Sequence, residues 1–483
     1  MKIKDILLKN SRDQVVLTTF NGDFTTKDIL DRVDYYITFF KNEDLTGKKI
    51  GLLVPFIPEY LSLVLAVNQL GGTVVPLSWQ FRKEDLTAVL KFLNPHIVFT
   101  ITEFNSFSFG DVFKTWAEKS KKEVIIYQST DCREWDMNTI TGSIQPLEKD
   151  KIDFICCSSG STGTPKGMVV SSETFNFTFE YFNDIIEIKE SDCLFLNAPP
   201  TTVFGISALL NGIYNGCKVV FPDNFELTKM IKLMEENNCN KLISTPSIFK
   251  AIYQVAEGIN PQVVKSIEVV GLAGEMVREN YVNLFNLMND CKFVGMYGSS
   301  EIGGAMYCDL RGKIEFNVYK GIDYQINNNE LLLKSPASFS YYYKNPELTK
   351  EVIDQKGWFY TGDLVQENDN GKIEIIGRKK DMIKKGGQQV IPGEIEQLLA
   401  KHEKVKQAVV IGAPHHVFGE QIVAFVVPNE KINNKEELYS YCSSNIARYK
   451  VPDHIEIIAE IPVSQGKVDK VSLNKLINRN MKE

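Results

Sequence analysis

The sequence predicts an α/β fold, with a large N-terminal multi-sheet α/β region and a smaller C-terminal α+β domain. Three observations lead there. The chain has 483 residues, above the roughly 250–300 at which one hydrophobic core stops growing, so at least two domains are expected. Short apolar runs alternate with helical patterns through most of the chain, which is the grammar of strand, helix and parallel strand. After Arg378 the elements become smaller and their order changes.

The elements follow in order. Lys49 to Pro55 and Thr73 to Leu77 read as strands, with Pro58 to Leu70 helical between them. Further strands are expected at His96 to Thr100, Glu123 to Tyr127, Lys151 to Cys157, Lys241 to Thr245, Ser266 to Gly271 and Lys292 to Tyr297. Each is centred on apolar residues, as strands buried on both faces require. In the C-terminal part a helix is expected from about Pro392 to His402 and another near Lys435 to Ile446. Strands fall near Val405 to Ile411 and Gln421 to Pro428, making a domain of about 100 residues. Gly377 to Gly387, rich in Lys and punctuated by Gly, is the linker candidate. There is no internal repeat or low-complexity tract.

Composition excludes several classes. With 43% hydrophobic and 24% charged residues, the chain is neither disordered nor fibrous. Lys plus Arg number 54 against 61 Asp plus Glu, a formal charge of -7. No excess of positive charge draws the molecule to nucleic acid or to anionic lipid, so any polyanion must be held locally. Lys2, Lys4, Asp5 and Lys9 interrupt the first apolar stretch, unlike a secretory signal, and a cytoplasmic location is expected. Leu61 to Leu70 is far short of the roughly 20 residues of a membrane span and ends at Gly71-Gly72, so it reads as a buried helix, and no stable membrane insertion is expected. Nine cysteines without a signal read as reduced thiols, and no Cys/His spacing suggests zinc.

The strongest chemical signal is Ser158-Ser159-Gly160-Ser161-Thr162-Gly163-Thr164-Pro165-Lys166-Gly167, directly after the strand ending in Cys157. Glycines let backbone N–H groups converge on an anion, hydroxyls add donors and Lys166 adds charge, so the composition is that of a phosphate cradle. The spacing is not that of the P-loop. A polar surface loop is the plainer reading, and the preceding buried strand favours the cradle.

The strings downstream are Gly271-Leu272-Ala273-Gly274-Glu275, Met296-Tyr297-Gly298-Ser299-Ser300-Glu301, Tyr360-Thr361-Gly362-Asp363-Leu364, Gly377-Arg378-Lys379-Lys380-Asp381 and Gly466-Lys467-Val468-Asp469-Lys470. With the Ser/Thr/Gly loop, and in this order over nearly the whole chain, they resemble the adenylate-forming superfamily of acyl-CoA synthetases, peptide-synthetase adenylation domains and luciferases. The resemblance implies a domain of residues 1–379 that binds ATP and acid, and a mobile catalytic domain of 380–483 with its hinge at Lys380.

It also implies roles. Ser159, Gly160, Ser161, Thr162, Gly163, Thr164 and Lys166 would hold the β- and γ-phosphates, and Glu301 would bind Mg²⁺, a hard ion suited to carboxylate oxygen. Tyr297 would offer its ring to adenine with Gly274-Glu275 opposite, beside Gly298, and the Ser300 hydroxyl would lie near the α-phosphate. Asp363 would accept from the ribose hydroxyls with Arg378 beside it. Lys467 would support the adenylation transition state electrostatically. Lys384 and the Gly386-Gly387 pair would face the pantetheine arm of the acceptor. Read singly, Tyr297 is a core aromatic, Glu301 a helix first-turn carboxylate and Lys467 a solvated lysine.

The sequence departs from the family pattern at Pro199-Pro200-Thr201-Thr202-Val203-Phe204-Gly205-Ile206. Thr202 stands where many acyl-CoA synthetases carry a ring. Gly205 stands where amino-acid-activating domains carry the Asp that pairs with the substrate ammonium, and a buried ammonium without that partner is costly. An aryl or aliphatic carboxylic acid is therefore expected rather than an α-amino acid, with Thr202, Phe204 and Gly205 lining its pocket. The implied reaction forms acyl-AMP and pyrophosphate and then passes the acyl group to coenzyme A, or to the phosphopantetheine of an acyl carrier protein. A nucleotide-binding sensor or scaffold without catalysis is the reading from another class, and retention of Lys166, Glu301, Asp363 and Lys467 argues against it.

Overall fold

The computed structural model describes residues 3–158, 165–277, 279–430, 432, 434–464 and 467–480. The chain divides into two compact units. The first comprises Met1–Ile314, Val318–Asp323 and Lys334–Gly357, and the second Glu315–Asn317, Tyr324–Leu333 and Trp358–Glu483.

Two large sheets organise the first unit. One runs in the spatial order Gly303–Asp309, Lys292–Ser299, Val269–Ala273, Lys241–Ser244, Cys193–Leu196, Lys218–Val220, Val15–Thr19, Gly22–Thr25. From Lys292–Ser299 to Val15–Thr19 every pairing is parallel. The other runs Tyr341–Tyr342, Lys166–Val170, Phe154–Ser158, Thr73–Pro76, Lys49–Leu53, Ile97–Ile101, Val124–Ser129, Asp136–Ile140, parallel through its middle and antiparallel at both edges. All five residues of Lys49–Leu53 and of Ile97–Ile101 are buried, which is why these strands read as continuous rather than alternating apolar runs.

The helix Ile57–Gln69 between two parallel strands is buried all round from Ile57 to Val67, matching its uniformly apolar sequence. Among the described residues no helix is long and apolar enough to cross a membrane. Thr25, Thr202, Thr245 and Asn345 cap the helices they precede through their side chains, each satisfying an otherwise orphan backbone N–H.

Antiparallel pairing dominates the second unit. Glu330–Lys334, Phe359–Glu367 and Ile373–Arg378 form a meander. A long hairpin, Val405–His415 with Gly419–Pro428, carries both C-terminal cores, because alternate residues face opposite ways. Ala408, Val410, Ile422 and Ala424 pack on one face with the helices Pro392–Ala400 and Glu436–Asn445. Val409, Ile411, Val423 and Phe425 pack on the other with the helix Lys470–Asn480.

Each strand and helix expected from the pattern has a counterpart, with ends shifted by a few residues. The expected strand from Ser266 starts instead at Val269, because Pro261–Lys265 is a short helix that runs into a turn. The meander was not expected from the pattern. The strand Asp323–Asn327, which pairs beside Glu330–Lys334, alternates between exposed and half-buried positions and carries no apolar run to mark it.

Candidate functional site

Parallel strands that enter an α/β sheet side by side release their loops side by side, at the carboxyl ends where such folds bind ligands. Cys193–Leu196, Lys241–Ser244, Val269–Ala273 and Lys292–Ser299 are consecutive neighbours. Their exits carry the Pro199-to-Gly205 loop, Thr245, Gly274-Glu275 and Tyr297-to-Glu301. The sheet order thus gathers on one edge strings that are widely separated in sequence.

Lys166 and Glu301 meet on a third residue. Ser158 and Lys166 are register partners where the hairpin Phe154–Ser158 with Lys166–Val170 opens. The short strand Tyr341–Tyr342 pairs on its outer side, Met168 opposite Tyr342. The Lys166 ammonium lies over the Tyr342 ring, 5.7 Å from its centroid, within reach of the ring's negative face. The Tyr342 hydroxyl donates to Glu301 Oε1 at 2.7 Å. Burial first, and then the Glu301 charge, push the phenol's pKa well up, so this proton stays on Tyr342. Glu301 stands in the tight turn between Ser299 and Gly303 rather than in a helix, and the Ser299 hydroxyl accepts its N–H at 3.2 Å.

Tyr297, half-buried, is the last residue before a bulge where Gly298 pairs with Gly304, and Ser300 is half-buried in the turn that follows. Ala273 is the register partner of Met296, so Gly274-Glu275 leaves its strand beside Tyr297. The Glu275 carboxylate accepts from the N–H and hydroxyl of Ser247, in the first turn of the helix Pro246–Ile259. It stabilises that helix start through its charge as well as its hydrogen bonds.

At the acid loop, the Thr202 hydroxyl accepts from Gly205 N–H at 3.0 Å and donates to the Pro199 carbonyl at 2.8 Å. It caps the helix Val203–Tyr214, a place where a side-chain oxygen satisfies an orphan backbone N–H. A Cβ on Gly205 would lie 2.0 Å from the Pro199 oxygen. Any side chain, a carboxylate included, is therefore sterically excluded at Gly205. Phe204, half-buried, has its ring 5.7 Å from that of Phe182.

In the second unit, Asp363 is 4% exposed and is the register partner of Arg378, whose Nε lies 2.7 Å from Asp363 Oδ1. Glu330 accepts from Gly362 N–H at 3.2 Å and pairs with Lys379 at 2.6 Å, holding the turn from below. Lys380 is exposed in the 3₁₀ turn Lys379–Asp381. Lys384 is exposed, with its N–H donated to Glu420 Oε2 at 2.6 Å. Gly386 and Gly387 form the two-residue turn between the paired Lys385 and Gln388, with φ of +56° and +80°. A two-residue hairpin turn of that hand needs positive φ at both positions, which favours glycine there. Lys467 lies in a two-residue strand paired with Val463–Ser464.

Ser159, Gly160, Ser161, Thr162, Gly163, Thr164 and Gly466 lie outside the described residues. Tyr342, Glu330 and Thr245 were not picked out from sequence. Tyr342 sits in a Tyr-Tyr-Tyr run that reads as core aromatic, and both Tyr342 and Tyr343 are buried, so no local signal sets Tyr342 apart.

Residues 8–339 match the family profile described as AMP-binding enzyme, and residues 394–466 match that of the AMP-binding enzyme C-terminal domain. The chain is 23% identical to the medium-chain fatty-acid–CoA ligase of Escherichia coli (strain K12), over 90% of this chain and 82% of that protein. It is 25% identical to the 2-succinylbenzoate–CoA ligase of Listeria monocytogenes, over 87% and 86%. Its fold is similar to the crystal structure of ATP-bound MatB from Rhodopseudomonas palustris, with a TM-score of 0.83, 20% identity and 98% of each chain covered.

Proposed function

We propose, from the premise that this chain belongs to the AMP-binding enzyme family, that it is an acid-thiol ligase. It joins a non-amino carboxylic acid to AMP at the expense of ATP and passes the acyl group to the thiol of coenzyme A. The meeting of Lys166 and Glu301 on Tyr342 carries the reading, because it sets a cation and a carboxylate on either side of one aromatic side chain at the open edge of the sheet.

In the first step a carboxylate oxygen attacks the α-phosphorus and the bond to pyrophosphate breaks. In the second the thiol sulfur attacks the acyl carbonyl and AMP leaves. Lys166 neutralises phosphate charge as pyrophosphate separates, and Lys467 does so at the α-phosphate. Asp363, held by Arg378, orients the ribose, and the Tyr297 ring stacks with adenine. Among the described residues no cluster of three or more His, Cys, Asp or Glu could hold a metal by itself. A single carboxylate, Glu301, fits Mg²⁺, which keeps several waters and binds through one or two carboxylates and substrate phosphates. When bound, Mg²⁺ supplies positive charge against the phosphate oxygens.

An aryl or aliphatic acid follows from Gly205: the helix start admits no counter-charge for an ammonium at that position, so a zwitterion would lose its hydration without compensation. Acid-dependent exchange of pyrophosphate into ATP, measured across aryl, aliphatic and amino acids, tests the first step. Exchange with a simple acid is expected. Its absence with every acid, beside measurable ATP binding, would overturn catalysis in favour of a sensor. Supplying free CoA and a pantetheinylated carrier protein in parallel then identifies the acceptor, with CoA expected to react faster.

A further inference from the structure

The opposite edge of the same sheet, where strands enter rather than leave, carries a second chemical feature. Cys193 opens the strand Cys193–Leu196, and Cys239 precedes the strand Lys241–Ser244 beside it. Asn240 ties the two together, donating its N–H to the Cys193 carbonyl at 3.1 Å and accepting Cys193 N–H on its side chain at 2.9 Å. Cys239 thus sits diagonally across from Cys193, and the sulfurs are 3.6 Å apart in a thiol hydrogen bond. Neighbouring strands about 4.8 Å apart keep the Cα atoms of such a pair within the roughly 4.4–6.8 Å that a disulfide spans.

The two thiols differ in access. Cys239 is 1% exposed and Cys193 is 7% exposed. Cys193 lines an open hollow with Gln14, Glu190, Asp192, Lys218 and Asn237. They also differ electrically. The hydrogen bond from Cys239, and then the charge of Lys218 on the adjoining strand, lower the Cys193 pKa against the opposing effects of burial and Asp192. Burial alone pushes Cys156 up to about 12 and Cys442 up to about 11.

We infer that Cys193 and Cys239 form an oxidisable dithiol, in which Cys193 meets hydrogen peroxide through the hollow and Cys239 resolves the product to a disulfide. The Cys193 thiolate attacks one peroxide oxygen, the O–O bond breaks, and hydroxide leaves a sulfenic acid on Cys193. The Cys239 sulfur then displaces the sulfenic hydroxyl, which departs as water with the Cys239 proton. Two thiols and one peroxide become one disulfide and two waters, and an added dithiol reverses the change.

The full chain treated with hydrogen peroxide, denatured and alkylated, tests this by mass and peptide mapping. Two of the nine cysteines are expected to escape alkylation, with the peptides of Cys193 and Cys239 joined. Cys239→Ser should stop at a sulfenic acid on Cys193, trapped by dimedone, and Cys193→Ser should leave the others reduced. Melting curves of both variants confirm that they fold, independently of any ligase activity. Nine alkylated thiols after peroxide, a bond from Cys193 to any cysteine other than Cys239, or loss of two thiols in Cys193→Ser would each overturn the inference.

Discussion

Tyr342 sets two charges with one side chain, its ring under Lys166 and its hydroxyl on Glu301. Tyr342→Phe keeps the ring and removes the donor, so the loss falls on Glu301. Outer partners of metal ligands are typically worth about 10–100-fold in metal affinity or activity. Pyrophosphate exchange titrated with Mg²⁺ should show a shift of that size, with the melting temperature little changed; an unaltered Mg²⁺ dependence would disconnect Glu301 from the metal. Asp223 offers a test of a different kind. Burial raises its pKa from 3.8 to about 6, against hydrogen bonds that include those from Phe20 N–H and the Asn21 amide. The folded state holds a proton that the unfolded state releases, so this group's stability contribution is complete below pH 3.8 and is lost as pH rises to about 6. Asp223→Asn lacks that loss. Denaturant midpoints of the two proteins should diverge in favour of the variant across this window and run parallel above it.

Among elements, the start of the helix Val203–Tyr214 decides the most. The Pro199 carbonyl, the Thr202 hydroxyl and the Gly205 N–H close on one another, leaving no space for a Cβ at Gly205. Gly205→Asp should therefore cost stability, about 1–3 kcal/mol for forced overpacking, visible as a lower melting temperature. It should not create exchange with amino acids. A folded variant that activated an amino acid would show that the cap gives way and that glycine is a choice of substrate alone. The string at Phe204-Gly205 was legible in sequence. The steric reason was not, because the Pro199 oxygen reaches Gly205 only once the helix turns.

At the scale of the molecule, the proposed division of labour puts Lys467 in adenylation and Lys384 in thioester formation. Lys467→Ala should slow pyrophosphate exchange by about 10² to 10³ while thioester formation from supplied acyl-adenylate persists. Equal loss in both half-reactions would contradict separate roles. The proposed rotation about Lys380 predicts that Lys380→Pro, by fixing φ near about −65°, spares one half-reaction and removes the other; normal overall turnover would place the hinge elsewhere.

The succession of strands and helices was legible because it is written in local periodicity: buried parallel strands are centred on apolar residues, and the helix from Ile57 is apolar all round. The chemical strings stood out through their order along the chain, which resembles that of a known family, and Lys166, Glu301 and Asp363 were singled out through that resemblance. Which strings become neighbours depends on strand order, and strand order depends on packing between segments far apart in the chain. Tyr342 beneath Lys166, the cap at Thr202 and the thiol pair Cys193–Cys239 arise only there. Periodicity tells a residue which face to bury, and only the assembled sheet determines what it meets.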